Sequence, residues 1–138
     1  MKIALLAAAA VLSFTPAAFA EVVNYKADLK ASSEVPANDS KGSGAVTATY
    51  DTATKKLTFS ATYKDLTGPA TAAHFHGPAA AGTNAGVVVP VKDVTASPLK
   101  GEATLTDDQA KMLADGMMYF NVHTAANKGG EIRGQVTK

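Results

Sequence analysis

Leu57-Thr58-Phe59-Ser60-Ala61-Thr62-Tyr63 is the stretch that decides the fold. Leu57, Phe59, Ala61 and Tyr63 alternate with Thr58, Ser60 and Thr62. That period of two sends one face into a core and the other into water, as in a half-buried β-strand. An amphipathic helix would repeat its apolar residues every three or four positions instead.

The same texture continues on both sides. Val23, Tyr25, Ala27 and Leu29 alternate with polar residues and predict a first strand. Residues 33–44 read as a loop, with Pro36, Asn38, Asp39, Gly42 and Gly44. Residues 45–50 predict a second strand, joined to residues 57–63 through the turn Asp51-Thr52-Ala53-Thr54 to make a hairpin. After the connection Leu66-Thr67-Gly68-Pro69, strands are expected over residues 71–76, 87–91, 99–105, 117–124 and 131–137. Pro90 gives residues 87–91 an edge position or a bulge, because proline cannot donate to a ladder. Thr106-Asp107-Asp108-Gln109 has the form of a capping box, with Thr106 as N-cap. It opens one short helix over about 106–115, with Ala110, Leu113 and Ala114 facing inward and Gly116 as its stop. The two aspartates read as partners of the helix dipole. Some eight short strands and one helix predict an all-β fold, an antiparallel β-sandwich or flattened barrel.

Composition narrows the function. Met1-Lys2, the apolar run of residues 3–14, Pro16 and Ala18-Phe19-Ala20 read as a secretory signal peptide over residues 1–20, cut before Glu21. The apolar run is shorter than the roughly 20 residues a membrane span needs. A periplasmic or secreted location is therefore expected for one domain over residues 21–138. Without Lys2 the chain carries 12 basic and 12 acidic residues. That balance argues against nucleic-acid and anionic-membrane partners. The absence of cysteine excludes thiolate ligands and thiol nucleophiles.

Two of the three histidines lie in Ala72-Ala73-His74-Phe75-His76-Gly77-Pro78, and the third in Tyr119-Phe120-Asn121-Val122-His123-Thr124. Strand phase puts Ala73, Phe75, Met118, Phe120, Val122, Ile132 and Val136 toward the core. His74, His76 and His123 then face the other way, as do Asn121, Glu131 and Arg133. That arrangement suits a polar site on the outer side of a sheet, under loop cover. Neutral imidazoles with an open position suit copper or zinc, whereas calcium and magnesium prefer oxygen. The alternative is structural: His74 and His76 hydrogen-bond loop backbone and hold residues 77–86 down. Arg133 has two readings as well, a structural one in which it pairs with Glu131 or caps loop carbonyls, and one as a fixed charge that guides a small anion. Met117 shares the face of His123 and is a packing residue or an added soft ligand.

Ala73-His74-Phe75-His76-Gly77-Pro78-Ala79, Asn121-Val122-His123-Thr124-Ala125-Ala126-Asn127 and Gly130-Glu131-Ile132-Arg133-Gly134-Gln135-Val136 together resemble the CHRD domain. That domain was first described in chordin and is present in many bacterial exported proteins. Glu34-Val35-Pro36 with Gly42-Ser43-Gly44 resembles its N-terminal pattern, and the likeness covers residues 22–136. Lys128 stands where many relatives have proline. The resemblance implies an immunoglobulin-like, Greek-key β-sandwich related to the copper–zinc superoxide dismutase fold, and it implies no settled activity or protein partner. Against the dismutases, His74, His76 and His123 resemble the three non-bridging copper ligands, and Arg133 resembles the arginine that guides superoxide. The bridging histidine, the zinc ligands and the intersheet disulfide are missing. The resemblance thus leaves a mononuclear three-histidine copper site, with zinc as the alternative metal. Three functions follow as expectations: a copper binder for storage, delivery or sequestration; a copper-only dismutase-like enzyme; or a metal-free adhesion module. No pattern for hydrolysis or phosphate binding is present.

Overall fold

The alternating stretch at residues 57–63 lies inside a nine-residue strand whose Leu57, Phe59 and Ala61 are buried. Its neighbours repeat the pattern, and in a computed structural model of the chain eight strands result. They are β1 (Val22–Lys30), β2 (Ser43–Asp51), β3 (Lys56–Lys64), β4 (Ala70–His76), β5 (Val87–Pro90), β6 (Leu99–Thr104), β7 (Met118–Thr124) and β8 (Ile132–Val136). A 3-10 turn spans Ala31–Ser33 and one helix, α1, spans Asp107–Ala114. The structure describes residues 15, 19–95 and 97–138. The leader read over residues 1–20 therefore falls, apart from residues 15, 19 and 20, outside the described residues. No described helix is long and apolar enough to cross a membrane.

The strands pair antiparallel in the order β5-β4-β7-β8-β1-β2-β3-β6. The fold is the expected all-β sandwich, close to a closed barrel. β1 and β8 run antiparallel side by side, with Lys30 opposite Arg133 and a bridge between Lys26 and Thr137. Gly134 permits that approach, because a Cβ there would run into the Asp28 carbonyl. The sheet folds over into two facing layers, β6-β3-β2-β1 and β8-β7-β4-β5. Phe59 from one layer meets Phe75 from the other edge-on, with ring centroids 5.0 Å apart, and Phe75 meets Phe120 at 4.9 Å. β5, with Pro90 at its end, is an edge strand, as the proline requires.

The helix is capped as its sequence predicts. Thr106 Oγ1 accepts from the Gln109 N–H, and Gln109 Oε1 accepts from the Thr106 N–H. Gly116, at φ +69°, ends it, and the Met117 N–H reaches back to the Met112 carbonyl. One expectation about its packing is corrected. Leu113 is buried, but Ala114 is exposed, and Met112 packs against the core in its place. The helix has eight residues and one buried anchor, so the longer Met112 side chain covers what the methyl of Ala114 cannot reach.

Phe75 lies between the two strand histidines, and its ring sits where the layers join. Phe75→Ala should cost about 3–5 kcal/mol of stability, the usual range for emptying a buried aromatic site. Urea unfolding measures it, and a loss below 1 kcal/mol would contradict this packing.

Candidate metal centre

β4 and β7 build the site because they are hydrogen-bonded neighbours. In their register His74 lies opposite Asn121, His76 opposite Tyr119, and His123 opposite Ala72. Alternation then sends His74, His76, Asn121 and His123 to the same side of the layer, away from the phenylalanine core. The three imidazoles come together as the phase argument requires. Ring centroids are 4.9 Å apart for His74 and His123, 5.3 Å for His74 and His76, and 6.2 Å for His76 and His123. One donor atom from each ring falls within 4.8 Å of the other two. Among the described residues, no other group of three His, Asp or Glu side chains is so placed.

This outer side is not open to water. Every residue of β7 is buried, on both faces. His76 and His123 are only 8% and 9% exposed, while His74 is half-buried and lies nearest to solvent. The cover is loop. His76 Nδ1 lies 2.9 Å from the Ala85 carbonyl, and His123 Nδ1 lies 2.8 Å from the Lys128 carbonyl. A carbonyl only accepts, so each Nδ1 carries a proton, and in the neutral form of such a ring Nε2 is the lone-pair nitrogen. The structural role expected of the histidines is thus present for His76, which ties down the 77–86 loop. It uses the nitrogen that a metal would not.

Burial pushes the His74 imidazole down to about 4, helped by the neighbouring His123 and His76. Burial also lowers His76, against the raising effect of its bonds to Ala85 and Asn121. Both rings are therefore neutral at pH 7, the protonation state that binds metals.

Arg133 fixes the loop cover. Its Nε donates to Glu34 Oε2 at 3.0 Å in an almost fully buried ion pair. One terminal nitrogen donates to the Thr83 carbonyl at 3.1 Å and the other to Asn84 Oδ1 at 2.5 Å. Its guanidinium carbon lies 3.8 Å from the centroid of the Tyr119 ring. His76 stacks on that same ring, 4.7 Å away and within 5° of parallel. The Tyr119 hydroxyl meets both backbone groups of Ala85, the residue that holds His76.

The expected cap on loop carbonyls is present, but the expected pair with Glu131 is not. Glu131 is buried elsewhere and accepts from Ser40 Oγ, Thr67 N–H, Thr67 Oγ1 and Thr124 Oγ1. Burial pushes its carboxyl up, and these bonds outweigh that and hold it at about 2. Four local donors serve the carboxylate there, which leaves Arg133 to a carboxylate 99 positions away. Met117 lines a shallow pocket with Pro78 and Met112 beside the helix. Sequence reasoning passed over Glu34 and Tyr119. The only signal for Glu34 was its place in Glu34-Val35-Pro36.

The CHRD domain family profile matches residues 25–136. The chain belongs to the CHRD domain family. No curated protein and no solved structure matches it. All three histidines, Arg133, Glu34 and Asn121 lie within the matched residues.

Two outcomes follow. Arg133→Ala strands the buried Glu34 carboxylate and should cost about 3–5 kcal/mol, read by urea unfolding, because a buried charge loses its partner; a loss under 1 kcal/mol would contradict the hub. Acid should also weaken the metal-free protein in two steps. Between pH about 6.5 and about 4 the unfolded chain takes up a proton that folded His74 refuses, so stability falls as pH falls. Between about 4.5 and about 2 the same holds for Glu131. His74→Gln should flatten the melting temperature against pH in the upper window alone. An unchanged slope there would contradict the assignment.

Proposed function

We propose that this CHRD-domain protein is an exported metal-binding protein that holds a single copper ion through His74, His76 and His123, for storage, delivery or sequestration. The observation that carries the reading is the convergence of three imidazole donors within 4.8 Å. Donor chemistry supports the fit. The set is all-nitrogen, two rings are fixed by Nδ1–H bonds to backbone carbonyls, and those second contacts orient ligand histidines in metal sites generally. Imidazole sets suit copper and zinc alike, and zinc is the alternative ion. The ion is cargo here, reached over half-buried His74. Export rests on the leader read at residues 1–20 and its cut after Ala20.

Arg133 favours a carrier over a dismutase-like enzyme. Its guanidinium is committed to Glu34, Thr83, Asn84 and Tyr119, which leaves it a structural role and no free face to guide an anion. A metal-free interaction module is the third reading.

Titration of the metal-free protein with copper(II) and with zinc, followed by melting temperature and copper EPR, tests this. One equivalent of copper should bind. At a hundredfold excess over Kd, binding adds about 2.7 kcal/mol, or roughly 10 °C for a domain of this size. If neither ion raises the melting temperature, and replacing all three histidines leaves copper affinity unchanged, the reading fails. Superoxide turnover faster than that of free copper would favour the enzyme instead.

A further inference from the structure

Asn121 lies among the three histidines, and its side chain raises an acceptor problem. Its Oδ1 is 2.9 Å from His76 Nε2 and 2.9 Å from His123 Nε2. His123 Nε2 is also 3.1 Å from His74 Nδ1. The Nδ1 protons of His76 and His123 are spent on Ala85 and Lys128, so both Nε2 atoms present lone pairs. Only His74 Nδ1 has a proton to place among these four atoms.

The amide is not simply turned the wrong way. Its Nδ2 and Glu34 Oε1 both crowd the point where a Cβ on Gly130 would stand. Glu34 Oε1 is buried and has no hydrogen-bond partner among the described residues. Rotating the amide by half a turn would aim its oxygen at that carboxylate. The negative carboxylate therefore favours the NH₂ on its own side and the oxygen on the histidine side, through charge and without a hydrogen bond between them. The result is four nitrogen and oxygen atoms facing one another with one proton among them, a constellation that a cation resolves. The donor spacings of 2.9–3.1 Å also approach the ~3.3 Å between neighbouring ligands in a tetrahedral site with bonds of about 2.0–2.1 Å.

The geometry points to Asn121 Oδ1 as a fourth donor, which makes the site a three-nitrogen, one-oxygen set for a divalent ion, with Glu34 and Gly130 holding the amide in place. This rests on the proposed three-histidine site and adds to it. A hard amide oxygen suits copper(II) and zinc(II) more than copper(I).

The test uses copper(II) as the probe on metal-free wild type, Asn121→Ala and Asn121→Asp, with melting temperature as the check of folding. Wild type should bind one copper(II). Asn121→Ala should lose at least tenfold in copper(II) affinity and change the parallel hyperfine splitting of the EPR spectrum, while copper(I) affinity stays within about threefold. Asn121→Asp, which keeps an oxygen in place, should bind copper(II) at least as tightly as wild type. Wild-type affinity and spectrum in Asn121→Ala would overturn the fourth donor and leave the three-histidine site standing. If Asn121→Ala fails to fold, a tenfold loss of copper(II) affinity in folded Asn121→Asp overturns it. No copper binding by wild type overturns both.

Discussion

The buried Glu34–Arg133 ion pair is the contact on which the site's shape depends. Two charges taken out of water gain little net stability from their attraction, because desolvation offsets most of it. What they supply is position. Glu34 follows the 3-10 turn after β1, and Arg133 lies on β8, so the pair fastens the loop of residues 33–42 to the sheet. The remaining guanidinium nitrogens fasten a second loop through Thr83 and Asn84, and Asn84 returns to the Val35 carbonyl. Tyr119, held between these contacts, presents the ring on which His76 stacks. The orientation of His76 is thus set by a loop that this guanidinium fastens, while His123 is held by the separate turn at Lys128.

That cover changes the chemistry of the face beneath it. On β3 the polar side of the strand meets water, and Thr58 and Thr62 do nothing more than solvate it. On β7 the corresponding side is roofed over, and Tyr119, Asn121 and His123 are buried like the core. Burial keeps His74 neutral well below its ordinary range and lowers His76 as well. Hydrogen bonding and metal binding are not rival uses of these rings. The bond from Nδ1 to a loop carbonyl selects the tautomer whose Nε2 is free, so a histidine that steadies a loop is also one prepared for a ligand.

Much of this was legible in the chain. Alternation alone separated Leu57, Phe59, Ala61, Met118, Phe120 and Val122 from their neighbours, and the same phase placed His74, His76 and His123 on one side. The capping box foretold the start of α1, and Pro90 foretold an edge strand. Long-range partners were not legible. Arg133 and Glu131 are two positions apart, so a local pair was the natural expectation, yet their side chains serve different loops. Nothing in the periodicity marks Glu34 as the partner, because the choice is made by how residues 33–42 cross the sheet. The inward role expected of Ala114 failed for a related reason: in a two-turn helix the longest apolar side chain near the core decides the contact.

Anomalous diffraction at the copper edge, from crystals of the copper-loaded protein, tests the central claim most directly. One peak is expected about 2.0 Å from a nitrogen of each of His74, His76 and His123. A peak elsewhere on the chain, or no peak near these three side chains at full copper loading, would contradict it.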